Sequence, residues 1–165
     1  MSAFIYARRI FSSERENMEL LDLRFSEKTL KILKGMAGQV FEKYRCDPSI
    51  FHPVYLLPVG IYAGGKCYIM TQEITDKAAG GKKTDVLEWI FREAEEKEIH
   101  SSRPAVVQED HALQKEIKEV RIINEKKTLS RCGKAEYRVY LTKAVRFIFE
   151  KGYLQIRKPV YFSPF

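Results

Sequence analysis

Apolar and polar residues recur with two different periods along the first third of the chain. Phe4 to Phe11 alternates as an opening strand does, and Ser12 and Ser13 can cap a short acidic helix that runs through Leu23. Ser26 can cap a longer helix, because the apolar residues that follow it recur at helical spacing. These residues are Leu30, Leu33, Ala37, Val40, Phe41 and Tyr44. The pattern therefore predicts one strand followed by two helices.

A β-hairpin is predicted in the next part of the chain. Val54 to Tyr62 and Lys66 to Ile74 are rich in β-branched and aromatic residues. Gly64 and Gly65 lie between the two segments, and a two-residue glycine turn is typical of a tight hairpin because such turns need positive φ. At least one of these two glycines is therefore expected to have a positive φ.

Helical spacing returns between Asp85 and Ile99. Asp85 and Glu88 form a variant of the capping box, and apolar residues then share one side of the predicted helix. Opposite charges four residues apart, such as Glu88 with Arg92, also favour a helix. After Pro104 a further helix is predicted, with an apolar side made of Leu113, Ile117 and Val120.

The C-terminal quarter leaves two structures open for residues 142–151. Helical spacing would turn Val145, Ile148 and Phe149 inward, whereas a strand would turn Val145, Phe147 and Phe149 inward. Residues 153–157 and 160–162 are predicted as short strands. The elements together predict a single α+β domain over residues 1–165, in which helices pack on a small antiparallel sheet.

Residues 126–165 could form a basic C-terminal subdomain of that domain. If residues 142–151 are helical, a basic helix, a glycine at position 152 and a basic strand follow one another, with residues 129–140 as a preceding helix. This order resembles the recognition helix and wing of a winged-helix domain. The resemblance implies a C-terminal winged-helix-like unit that contacts nucleic acid or protein.

Positive charge is concentrated in the same region. The chain carries a net charge of +7, and residues 126–158 hold ten lysines and arginines against only Glu136 and Glu150, a net +8. Such a segment is typical of a surface that binds phosphates, and tyrosines among the cations suit stacking on bases. The predicted nucleic-acid-binding residues are Lys126, Lys127, Arg131, Lys134, Arg138, Tyr140, Lys143, Arg146, Lys151, Arg157 and Lys158.

A second phosphate contact is predicted at Lys82 and Lys83. They follow two glycines and precede the predicted helix, and the backbone N–H groups at a helix start can hold a phosphate. The segment is not a nucleotide-hydrolysing loop, because Asp76 stands where that motif needs glycine and Lys83 where it needs a hydroxyl.

No catalytic, cofactor or metal signature is present in the sequence. The histidines show no metal-ligand spacing, and three widely spaced cysteines fit neither a disulfide framework nor a thiolate site, so an intracellular location, cytoplasmic or nuclear, is predicted. No apolar run is long enough to cross a membrane.

The sequence thus predicts a non-catalytic nucleic-acid-binding protein that uses its basic C-terminal segment. One alternative is a small accessory subunit that docks into a larger protein or ribonucleoprotein assembly. Another is an enzyme whose site is not visible in the sequence. A further alternative leaves the basic segment without function, because its cations could simply be solvated or pair with acidic residues of the same chain.

Overall fold

The computed structural model describes residues 21–46, 59–79, 82–99, 109–131 and 135–157. These residues form nine strands and two short helices. The strands are β1 (Leu21–Leu23), β2 (Val40–Cys46), β3 (Val59–Ala63), β4 (Lys66–Ala79), β5 (Lys82–Glu93), β6 (Glu109–Glu116), β7 (Glu119–Arg131), β8 (Ala135–Ile148) and β9 (Tyr153–Arg157). The helices are α1 (Glu27–Lys34) and α2 (Glu96–Ile99).

The strands form two sheets. The first has five antiparallel strands in the order β5-β4-β3-β2-β6. In the second, β8 pairs with β7 along one edge, and with β1 (parallel) and β9 (antiparallel) along the other. The chain passes from one sheet to the other at Ile117 and Lys118. The N–H of Ile117 still donates to Gln39 in the loop before β2, at 2.8 Å, whereas the N–H of Lys118 donates to Ile148 at the end of β8, at 2.7 Å.

The main hydrophobic core contains residues from both sheets and from the α1 region. The Phe41 ring of β2 meets the Phe147 and Phe149 rings edge to face, with centroids 5.2 and 6.0 Å apart. Leu33 of α1 and Met36 after it are fully buried in the same cluster. Apolar burial of this kind is the main stabilising contribution to a small domain, so the two sheets stabilise each other.

The hairpin predicted around two glycines is confirmed where the structure describes it. β3 and β4 pair in register up to Ala63 and Lys66, which leaves Gly64 and Gly65 as a two-residue turn. Their φ values are 58° and 74°, the left-handed region that glycine adopts at little cost. Residues 54–58 of the predicted first strand lie outside the described residues.

The predicted helix after Ser26 begins in the right place but ends early. The Ser26 side chain accepts a hydrogen bond from the Thr29 N–H at 3.2 Å, as a helix cap does. The helix ends at Lys34, and the chain turns at Gly38, whose φ is 87°, into strand β2. Neither of the two helices in the described part of the chain is long and apolar enough to cross a membrane.

Two other predicted helices are wrong. Most of the segment from Asp85 to Ile99 is strand β5, in which Trp89 and Phe91 are buried and the intervening Ile90 is only partly buried. The helix predicted after Pro104 falls on strands β6 and β7. Cross-strand partners up to 76 residues away in sequence supply the hydrogen bonds here, and such long-range pairing overrides local helix propensity.

The predicted α+β class and the winged-helix-like unit are also wrong. Residues 142–148 belong to β8, and Val145, Phe147 and Phe149 are buried, as the strand alternative expects. The preceding segment, predicted as a helix, falls on the ends of β7 and β8. Leu21 to Leu23, predicted as a helix end, is strand β1. The strands predicted at residues 4–11 and 160–162 lie outside the described residues.

Candidate nucleic-acid interface

The paired strands distribute the predicted cations over both faces of the four-stranded sheet. Residues that pair across neighbouring strands share a face. Val145 and Phe147 pair with Ile122 and Val120, and these residues form the inner face, which packs on the main core. The opposite face is called the outer face below. Its polar residues are Glu119, Arg121, Glu125, Lys127, Lys143, Arg146, Tyr153, Gln155 and Arg157.

Three strands place a row of long polar side chains across the outer face. Arg146 of β8 pairs with Arg121 of β7 on one side and with Gln155 of β9 on the other. Its guanidinium donates from Nε and Nη2 to the Gln155 Oε1 atom, at 3.0 and 2.7 Å. The same guanidinium lies 4.5 Å from the centroid of the Tyr153 ring, a cation–π distance. Neutral groups therefore hold the Arg146 side chain in place.

Carboxylates neutralise only part of the charge on the outer face. Glu119 accepts from Arg121 at 3.0 Å, and this hydrogen bond lowers the pKa of the Glu119 carboxyl. Glu125 lies 3.9 and 3.7 Å from the amines of Lys127 and Lys143. Among the described residues, no carboxylate lies within ion-pair distance of the Arg146 or the Arg157 guanidinium. The face carries five cations against two carboxylates, a net charge of +3.

The other described cations of the basic segment lie elsewhere. Lys126 and Arg138 are on the inner face, beyond the core. Tyr140 is on the same face of β8 and pairs with Lys126 of β7. The ring of Tyr140 is already contacted by cations of its own chain, with Arg24 Cζ at 4.3 Å and Lys126 Nζ at 5.2 Å from its centroid. Lys151 is exposed in the turn before β9. Lys134, Lys158 and the side chain of Arg131 lie outside the described residues.

The helix that was expected to present a phosphate site at Lys82 and Lys83 does not exist. Both residues belong to strand β5, which pairs with β4 from Ala79 and Lys82 onward. No helix begins there, and successive N–H groups of a strand point to alternate edges, so they are not gathered toward one point as they are at a helix start. The physical argument for a phosphate contact at these two lysines is lost with the helix.

A cleft of about 510 Å³ opens beside the inner face. At its floor the hydroxyl of buried Thr142 accepts from the Phe25 N–H at 2.9 Å and donates to the Asn124 side chain at 3.0 Å. The walls carry the carboxylates of Asp22, Glu27 and Glu88 against the single guanidinium of Arg24. Arg24 is itself paired with Asp22 at 2.8 Å, which raises the Arg24 pKa. This excess of carboxylates disfavours phosphate in the cleft.

The five-stranded sheet carries a neutral ion-pair network on its surface. Asp110 of β6 accepts two hydrogen bonds from Arg45 of β2, at 2.6 and 3.1 Å, and one from Lys43 at 3.0 Å. Glu96 of α2 lies 3.6 Å from the Arg45 guanidinium. Both cations also lie over the Tyr62 ring. Each charge has a partner within the network, so its role is to hold β2, β6 and α2 together.

This network predicts a stability change in acid. Arg45 and Lys43 hold the pKa of the Asp110 carboxyl well below its ordinary value of 3.8, so the ionised form stabilises the fold. That stability is present above about pH 4 and is lost as the pH falls below it. Asp110→Asn should destabilise the protein by about 1 kcal/mol or less at neutral pH, since Asp110 is 41% exposed. The difference between the urea midpoints of the variant and the parent should be constant above about pH 4 and should shrink progressively as the pH falls below it. Parallel curves would contradict the prediction.

No strong nucleophile or metal site is found in the described part of the chain. Burial raises the pKa of the Cys67 thiol, so this cysteine on β4 is mostly protonated and unreactive. Cys46 is the last residue of strand β2. No group of three or more histidine, cysteine, aspartate or glutamate side chains is arranged to bind a metal ion in the described ranges.

Sequence analysis missed two parts of the outer face, Arg121 and Gln155. Arg121 was assigned to a different helix from the C-terminal cations, and Gln155 carries no charge. The spacing of Glu119 and Arg121, two residues apart, would have indicated an ion pair on a strand. Comparison of the chain with protein-family models, with curated proteins and with solved structures gives no match.

Proposed function

We propose that this protein binds nucleic acid without catalysis, through the outer face of the four-stranded sheet. The single observation that supports the proposal is the pairing of Arg121 with Arg146 across β7 and β8. Like charges directly opposite each other in an antiparallel pair repel and destabilise a sheet. Glu119 offsets part of this repulsion by accepting two hydrogen bonds from Arg121. A phosphate bound between the two guanidinium groups offsets the rest, through charge-assisted hydrogen bonds.

The neighbouring charges extend the same surface. Arg157 is exposed on the adjacent strand β9, two residues beyond Gln155 on the same face. Three arginines on three adjacent strands therefore face the same direction, within the reach of consecutive phosphates of one chain. A sheet surface replaces the recognition helix and wing as the proposed means of binding.

The test is a titration of the purified protein against short labelled oligonucleotides between about 50 and 200 mM salt. Three phosphate contacts should give a slope of log affinity against log salt of about −2, at about 0.7 per contact for a single strand. Absence of binding at low salt, or affinity that does not change with salt, would contradict the proposal. The alternative of an accessory subunit that docks onto another protein would then be favoured.

A further inference from the structure

Tyr153 is the most exposed large apolar side chain among the described residues. It begins β9, pairs with Ile148 and is 60% exposed on the outer face. Among the side chains whose exposure the structure describes, Val40 is the other exposed large apolar residue; it is 43% exposed and lies on the other sheet. An aromatic ring left in water beside arginines is typical of a surface that stacks on a ligand.

The ring of Tyr153 is held in position before any ligand binds. Arg146 lies 4.5 Å from the ring centroid, and its guanidinium is fixed by two hydrogen bonds to Gln155. No other described side chain stacks on this ring. Tyr140 differs, because its ring is only partly exposed and two cations, Arg24 and Lys126, already contact it.

An open aromatic face next to phosphate-binding arginines selects for unpaired bases. In a duplex the base faces are stacked on one another and cannot reach a side chain on a flat sheet, whereas single strands expose them. Tyr153 and Arg157 lie on the same face of β9, four residues and about 13 Å apart at about 3.3 Å per residue. A short stretch of one strand can therefore contact both.

We infer that the outer face binds single-stranded nucleic acid in preference to duplex, with one base stacked on Tyr153 and the adjacent phosphates on Arg121, Arg146 and Arg157. This inference rests on the proposed nucleic-acid binding. Arg146 has a double role, since it supports the ring from one side and keeps N–H groups for a phosphate. Stacking tolerates any base, so the preference is for strandedness and not for sequence.

The experiment compares the affinities of the protein for a single-stranded oligonucleotide and for the duplex of the same sequence, at one salt concentration. Tyr153→Leu keeps an apolar side chain but removes the π face. It should weaken single-strand binding about 5- to 150-fold and leave duplex binding unchanged. Tyr153→Phe should retain the parent's preference, and Tyr153→Trp should bind the single strand at least as tightly.

The outcomes separate this inference from the proposed function. If the parent binds single strand and duplex equally, and Tyr153→Leu weakens neither, the arginines bind phosphate and the single-strand inference is overturned. If the parent binds neither nucleic acid at low salt, the proposed function itself fails. Thermal unfolding of each variant controls for folding. Should the leucine variant unfold, the phenylalanine and tryptophan variants decide, because loss of the preference in both would also overturn the inference.

Discussion

Reversal of Arg121, Arg146 and Arg157 to glutamate is expected to lower nucleic-acid affinity by about 100-fold or more at low salt. In the proposed interface each of these arginines contacts a phosphate, and a lost contact costs about 1 kcal/mol or more, which is about fivefold in affinity. The slope of log affinity against log salt should fall toward zero, since about 0.7 of it is lost per contact on a single strand. Fluorescence titrations at several salt concentrations measure both quantities.

The matched control is reversal of three lysines on α1, namely Lys28, Lys31 and Lys34. These lysines are exposed. Three reversals in either set change the net charge of the protein by the same amount. Affinity should fall much less in this control, because long-range repulsion alone is screened within about 10 Å at 0.1 M salt. An equal loss in both variants would mean that binding depends on overall charge and not on the outer face. Unfolding of the arginine variant alone would assign those residues a structural role.

Replacement of Phe41 by alanine is expected to destabilise the fold by about 3–5 kcal/mol. The side chain is fully buried on β2 and packs against Phe147 of the opposite sheet and against Phe149, which follows β8. Its removal leaves a cavity between the two sheets, which must affect both. Denaturant unfolding can be followed by far-ultraviolet circular dichroism and by Trp89 fluorescence. The unfolding midpoints from the two probes should therefore shift to lower denaturant concentration by the same amount.

Val40→Ala serves as the control for this core substitution. Val40 precedes Phe41 in the same strand but is 43% exposed, so its truncation should change stability by no more than about 1 kcal/mol. A large effect at Val40 would contradict the assignment of inner and outer sides of β2. Two separate unfolding transitions in Phe41→Ala would contradict a single domain in which the sheets share one core.

Local signals in the sequence were sufficient where the structure depends on neighbouring residues. The cap at Ser26 and the turn at Gly64 and Gly65 were predicted correctly, because a cap and a two-residue turn each involve only a few adjacent residues. The concentration of cations after residue 126 is likewise a property of the sequence alone. In contrast, the spacing of opposite charges at Glu88 and Arg92 predicted a helix, but these residues form strand β5, which pairs with β4.

The faces of the four-stranded sheet could not be predicted, because a bulge sets them. The register of β7 and β8 shifts between Ile123 and Asn124, so no residue of β7 lies directly opposite Lys143 in the ladder. Strict alternation would place Val139 and Val145 on one face, but the bulge places Val145 in the main core and Val139 on the outer side, in a separate cluster with Leu21 and Leu23. Arg146 faces outward for the same reason.

The sequence by itself therefore determined the amount of positive charge, its position along the chain, one helix cap and one hairpin turn. Tertiary structure alone decided which charged side chains meet. Strand partners such as Arg45 and Asp110 are 65 residues apart, and helix or strand spacing carries no information about such pairs. It also decided that Tyr153 is exposed while Phe147 is buried, since the pairing of β8 with β9 fixes which side of the sheet each ring occupies.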